Sequence, residues 1–260
     1  MLSRSLPVSL VSLPDGLWRA AELGSAAGAT VATGHAVLDA ELPGGGWPLG
    51  ALSEILQAQS GQHEWRLVLP ALKSRAGGPV VLVGAPQVPV GPGLLSQGFD
   101  ARRLLWLKTP TPGASLWAAE QALRCAEVAA VLAWLPQVRA DQLRRLQMAA
   151  HDHSQLLFVM RPVQAQAESS PAVLRLLVSR MSGAVAASAD ILQLHILKRR
   201  GPPLERPLLL TARPERLAAV LARPRGRAEE EPPTGLGPRV QSLRFEPRAG
   251  HALDCTAAAA

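Results

Sequence analysis

The chain alternates between short, continuously apolar runs and segments whose apolar residues fall at helical spacing. Ala51–Leu56, Pro79–Gly84, Leu104–Leu107, Val128–Trp134 and Gln155–Met160 are apolar throughout or nearly so, the pattern of strands buried on both faces of a parallel sheet. Between them, Glu64–Arg75 places Trp65, Val68, Leu69 and Leu72 on one helical face, and Pro70 is expected to bend this helix or mark a late start. Pro92–Gly98 reads as a short helix. Ser115–Ala126 reads as a helix capped by Ser115 with Leu116, Ala119 and Leu123 inward, and Arg139–His151 as one with Leu143, Leu146 and Ala150 inward. This order predicts right-handed crossovers and an α/β fold with a mostly parallel central sheet flanked by helices. Val173–Ser179, Ile191–Lys198 and Pro207–Thr211 then follow without long helices between them, which predicts antiparallel strands near the C-terminal end of the sheet. In the second of these, Leu192, Leu194 and Ile196 form the inward set and His195 falls on the solvent or rim side.

The two ends read differently. Asp15–Gly24 suits a short helix capped by Asp15. Pro214–Leu221 suits another, and beyond it prolines and few apolar anchors predict disorder from about Arg223. The expected organisation is an N-terminal segment over 1–28, an α/β core over 29–212 and a basic, proline-rich, largely disordered tail over 213–260. No apolar run approaches the roughly 18 to 20 residues of a membrane helix, and Pro7 and Pro14 interrupt any leader-like stretch. Cys125 and Cys255 lie far apart without a C-x-x-C pair, which fits a reducing compartment and argues against zinc. His151 and His153 read as a helix end rather than a metal site. The expected location is cytoplasmic, with no membrane partner, no metal and no cofactor.

The formal charge of +7 is carried far more by arginine than by lysine. Contact with nucleic acid or an acidic partner would use it, but GC-rich coding also enriches arginine, so net charge alone does not decide. The sharpest basic cluster in the core is Lys198-Arg199-Arg200 before Gly201, making these residues candidates for DNA phosphates. In the tail, Arg213, Arg216, Leu217, Val220 and Leu221 are candidates for a partner contact.

The stretch Thr33–Leu56, TGHAVLDAELPGGGWPLGALSEIL, leads through a glycine turn and a strand into a loop, Gln57–Trp65, and then a helix. That is the setting of phosphate-binding loops. Such a loop ends in G-K-[ST], because backbone amides cradle phosphate, lysine neutralises it and the hydroxyl holds magnesium. Here Gln57, Ser60, Gly61, Gln62 and His63 occupy the loop, with Gln62 and His63 at the lysine and hydroxyl positions.

Thr33-Gly34, Leu38-Asp39, Gly44–Gly46, Pro48, Gly50 and Glu54 resemble the segment of RecA-type recombinases that precedes the phosphate loop. Leu17–Ala20, Ala32–Pro48 and Leu197–Pro203, reading LWRA, ATGHAVLDAELPGGGWP and LKRRGPP, resemble more closely the ImuA family, RecA-like proteins associated with bacterial translesion DNA synthesis. The resemblance runs roughly from Trp18 to Leu210. It implies a RecA-like core, in which a water-activating glutamate follows the Pro79–Gly84 strand and a magnesium aspartate ends the Val128–Trp134 strand. At those places the chain has Gly84-Ala85-Pro86-Gln87 and Ala133-Trp134-Leu135-Pro136. With the phosphate lysine also replaced, the expectation is a pseudo-ATPase without catalytic residues, because phosphoryl transfer depends on positioning and charge neutralisation. The family implies an accessory scaffold in SOS-induced, error-prone translesion synthesis. Its partners would be an ImuB-like Y-family polymerase homologue and an error-prone replicative-type polymerase, with DNA or RecA as further contacts. The alternatives are a SulA-type division inhibitor binding FtsZ, which shares the RecA-like ancestry, and an active RecA-class ATPase with an unorthodox loop.

Overall fold

A computed structural model describes residues 28–75, 77–180 and 191–211. Internal contacts separate Met1–Ala222 from Arg223–Ala260, and the second unit lies outside the described residues. So do the helices expected at Asp15–Gly24 and Pro214–Leu221.

The chain opens with β1 (Thr30–Val31), a short helix α1 (Ala36–Asp39) and β2 (Trp47–Pro48), which pairs antiparallel with β1. There follow β3 (Ala51–Gln57), α2 (Glu64–Ser74), β4 (Val80–Val83), α3 (Gly91–Ser96), β5 (Leu104–Leu107), α4 (Pro112–Leu123), β6 (Ala130–Trp134), α5 (Ala140–Asp152) and β7 (Leu156–Pro162). β8 (Leu174–Arg180), β9 (Ile191–Lys198) and β10 (Leu208–Thr211) complete an eight-stranded sheet ordered β10-β9-β8-β3-β7-β6-β4-β5. The six strands from β8 to β5 are parallel to one another, and antiparallel pairing begins with β9. This is the α/β architecture the sequence predicts, with one correction. β8, expected in the antiparallel extension, pairs parallel with β3, because residues 163–173 supply a crossover long enough to return it in the same direction.

The continuous apolar runs are explained by burial on both faces. Val80 and Leu82 of β4, Leu132 of β6 and Phe158 of β7 enter a core beneath α2 and α3. Their neighbours Val81, Val83, Val131 and Val159 enter a second core beneath α4 and α5. Trp47 anchors the glycine-run segment by standing edge-on to Phe158, with ring centroids 5.0 Å apart. In β9, Leu192, Leu194 and Ile196 are buried and alternate with half-buried neighbours, His195 among them.

Two helix details depart from expectation. Ser115 is not the cap of α4: Thr111 is, its hydroxyl accepting from the Ala114 N–H at 3.2 Å, and Ser115 is buried one turn later. The earlier start follows from Pro112, whose missing N–H costs nothing in a first turn. Pro70 lies inside α2 rather than at its edge. A proline there leaves the Arg66 carbonyl without its helical donor, and His35 lies beside the carbonyls of Arg66 and Leu67. Gly34 fits against the same turn, since a Cβ on it would sit 2.3 Å from the Pro70 Cβ.

Candidate functional site

At the C-terminal ends of the parallel strands, β3 passes through Ala58–His63 into α2, the place where open α/β sheets bind ligands. The group that organises this loop is Glu64, the first residue of α2. Its carboxylate is 1% exposed and turns back into the loop. Oε1 accepts from the Gly61 N–H at 2.6 Å, from the Trp134 indole N–H at 2.8 Å and from the Gln57 amide. Oε2 accepts from the His63 N–H at 3.0 Å. Backbone amides converging on an anion at a helix N-terminus are the phosphate-binding device of such loops. Here the anion in contact with them is the chain's own carboxylate.

The remaining loop residues fit around this contact. Gly61 has a φ of +90°, and a Cβ on it would press on the side chains of Gln87 and Pro86 at 3.3–3.4 Å. Gln62, at the lysine position, is exposed and donates to Gln59 at 2.6 Å. His63 is buried, Ser60 is half-buried, and Gln57 is fully buried with its Oε1 lacking a protein partner. Trp134 stands where the resemblance implies a magnesium aspartate, and its indole serves the loop instead. A cavity of about 220 Å³ adjoins the site, lined by Gly61, Trp65, Pro86, Gln87, Val90 and Trp134.

Across the sheet from the loop lies a buried ion cluster. Glu54 of β3 is held between Arg161 of β7 at 2.9 Å and Arg175 of β8 at 2.5 Å, all three nearly inaccessible. Arg161 also donates to the Val138 carbonyl at 3.1 Å and to Glu168 at 2.6 Å. Burial works against its charge, but the bonds to Glu168 and Glu54 outweigh that and raise its pKa. The Arg161 charge is therefore engaged inside the sheet.

The basic triplet is not uniform. The Arg199 guanidinium is largely buried, donating to the Glu41 carbonyl, to the Glu41 carboxylate at 3.1 Å and to the Pro202 carbonyl at 3.0 Å. It fastens the strand end to the loop after α1. Lys198 is exposed and donates to the Ser170 carbonyl at 3.0 Å, and Arg200 is exposed beside it. Arg213, Arg216, Leu217, Val220 and Leu221 lie outside the described residues.

Sequence reading missed Glu64 and Trp134 as partners. An acid in the first helical turn is ordinary, and only the fold brings the end of β6 to the loop after β3. Glu54 was visible as a carboxylate inside an apolar strand, which demands a buried counter-charge, but the two arginines lie 107 and 121 residues away.

Among the described residues no group of three or more histidines, cysteines and acids is placed to hold a metal. No described helix is long and apolar enough to cross a membrane. No family model matches the chain. It is similar to Protein ImuA from two strains of Caulobacter vibrioides, 32% identical over 147 residues in each case. The aligned part is 53% of this chain and 60% of the relative, so the chain spans about three-fifths of the length of the curated relatives it matches.

Proposed function

We propose that the chain is a RecA-like, non-catalytic accessory protein of SOS-induced, error-prone translesion DNA synthesis. It acts as a scaffold for an ImuB-like polymerase homologue and, through it, for an error-prone replicative-type polymerase. The observation that carries this reading is Glu64. A carboxylate bonded to the amides of Gly61 and His63 supplies internally the anion that a nucleotide phosphate would bring, so the loop keeps its shape without a ligand. A negative charge at that point also repels a triphosphate, and no lysine is present to offset it.

On this reading the fold supplies surfaces instead of turnover. Lys198 and Arg200 are the contacts offered to DNA, with Arg199 holding their strand end in place through Glu41. Arg213, Arg216, Leu217, Val220 and Leu221 are the contacts offered to the polymerase-like partner. The similarity to ImuA supports the assignment to translesion synthesis.

Two measurements on the full chain test this. Pull-down of the ImuB-like protein is expected to succeed with the full chain and to weaken when 213–260 are removed; equal capture would remove the tail from the interface. Titration with Mg-ATP is expected to give no heat of binding, and micromolar affinity with turnover would overturn the pseudo-ATPase reading.

A further inference from the structure

α4 and α5 pack side by side over one face of the sheet. α4 returns from β5 to β6 and α5 from β6 to β7, each joining parallel strands, so the two helices run in the same direction. Their inward sides fill the second core, and their outward sides carry Trp117 and Met148, 65% and 70% exposed. Between these two side chains stands a charged clamp. Glu120 of α4 is buried, and its Oε1 accepts from Arg124 Nη2 at 2.8 Å while its Oε2 accepts from Arg145 Nη2 of α5 at 2.6 Å. Trp117 precedes Glu120 by one turn of α4, and Met148 follows Arg145 by one turn of α5. The order along the helix axes is therefore Trp117, clamp, Met148, spanning roughly 9 Å at 1.5 Å per residue.

One carboxylate thus fixes two guanidinium groups, and each spends a single nitrogen on it. The carboxylate is 9% exposed, whereas both arginine side chains are 63% exposed, and their Nε and Nη1 groups have no partner among the described residues. A guanidinium fork held in place with donors unused is prepared for a second carboxylate. Arg144, beside Arg145, is exposed and has no ion pair among the described residues. Three arginines against Glu120 leave two positive charges in excess. The nearby acids lie outside the clamp: Asp141 is paired with Arg139 at 3.2 Å, Asp152 ends α5, and Glu127 lies beyond the end of α4.

We propose that the α4–α5 face docks an amphipathic helix of another protein, whose carboxylate binds between Arg124 and Arg145 and whose flanking apolar side chains cover Trp117 and Met148. The charge pattern selects this occupant. A phosphate backbone laid along the face would meet Asp141 on one side of the clamp and Asp152 and Glu127 on the other. A helix can set a single carboxylate between them. Apolar residues at i and i+7 of such a helix stand about 10 Å apart, with an acid at i+4 between them, which matches the order on this face. The proposal is independent of the reading of the loop around Glu64.

The test uses the full chain and a fluorescein-labelled, alanine-based helical peptide with leucines at i and i+7 and a glutamate at i+4. A version with glutamine at i+4 is the control. Anisotropy is expected to show the glutamate peptide binding and the glutamine peptide about tenfold weaker, since a charge-assisted pair is lost. Arg145→Lys keeps the charge and a bond to Glu120 but removes the remaining fork, and should weaken the glutamate peptide several-fold while leaving the glutamine peptide unchanged. Trp117→Ala changes an exposed side chain outside the core and should weaken both peptides about tenfold. Failure of the glutamate peptide to bind, equal binding of both peptides, or binding unchanged in both variants overturns the proposal. A dimer in sedimentation that Trp117→Ala disperses would assign the face to a second copy. A single-stranded oligonucleotide that binds Arg145-dependently where the glutamate peptide does not would assign it to nucleic acid. Either result refutes the helix reading.

Discussion

Replacing Glu64 tests whether a side chain stands in for phosphate. Glu64→Ala removes the acceptor of four donors: the N–H groups of Gly61 and His63, the Trp134 indole and the Gln57 amide. Each donor left buried without a partner costs about 1–3 kcal/mol. The cavity of about 220 Å³ borders Gly61 and Trp134, so water can reach those two and relieve most of their share. His63 and Gln57 remain, and the expected loss is about 2–4 kcal/mol. Glu64→Gln is a subtler change. If the amide oxygen stays at the Oε1 position it keeps three donors, but its NH2 then faces the His63 N–H, donor against donor. One charge-assisted bond disappears and three become neutral, a loss of about 2–3 kcal/mol.

The assay is urea unfolding of the wild type and both variants, repeated with inorganic phosphate or pyrophosphate. If the loop is held open by its own carboxylate, Glu64→Ala regains stability when the anion is added and the wild type does not. At about ten times its dissociation constant the anion would restore about 1.4 kcal/mol. The reasoning is refuted if Glu64→Ala matches the wild type within about 0.5 kcal/mol. It is also refuted if phosphate stabilises wild type and variant equally, since an occupied nest has no room for a second anion.

Other perturbations read other parts of the fold. Glu54→Ala leaves the buried Arg175 with carbonyl partners only and Arg161 with the partly exposed Glu168, and is expected to cost about 3–5 kcal/mol in urea unfolding, well above what an exposed pair would lose. Gly46→Ala would bring a Cβ to 2.2 Å from the Val31 carbonyl oxygen; a loss of about 1–3 kcal/mol is expected, with the β1–β2 amides exchanging faster. His35 has its pKa lowered from 6.5, chiefly by burial. The folded chain therefore binds fewer protons there than the unfolded chain. Its contribution is fully present above pH 6.5 and is lost as pH falls through the lowered value. His35→Gln should flatten that part of the stability–pH curve, and an unchanged curve would clear His35 of the role.

What the sequence made legible was whatever depends on local pattern. Strands buried on both faces announce themselves as uninterrupted apolar runs: β4 and β6 fall within the expected segments, and β7 overlaps its own but runs on through Arg161 and Pro162. The helical face of α5 was equally visible, since Leu143, Leu146 and Ala150 recur at the spacing of one buried side. The direction of β8 was not, because parallel and antiparallel pairing are set by how far the preceding connection can travel, and residues 163–173 carry no helical pattern to advertise a crossover. The same limit hid the site. That the loop lacks a lysine can be read directly; which groups meet its carboxylate cannot, because Trp134 and Glu64 are 70 residues apart and meet only once β6 lies two strands from β3. A missing motif residue is thus half an observation. A loop emptied of its ligand would leave the Gly61 and His63 amides to water and be free to change shape, whereas one whose amides are bonded to an internal carboxylate is held. In this chain the bonds from Gly61, His63, Gln57 and Trp134 to Glu64 tie the end of β3, the start of α2 and the end of β6 to one buried charge. That gives the loop a shape fixed by the chain's own residues.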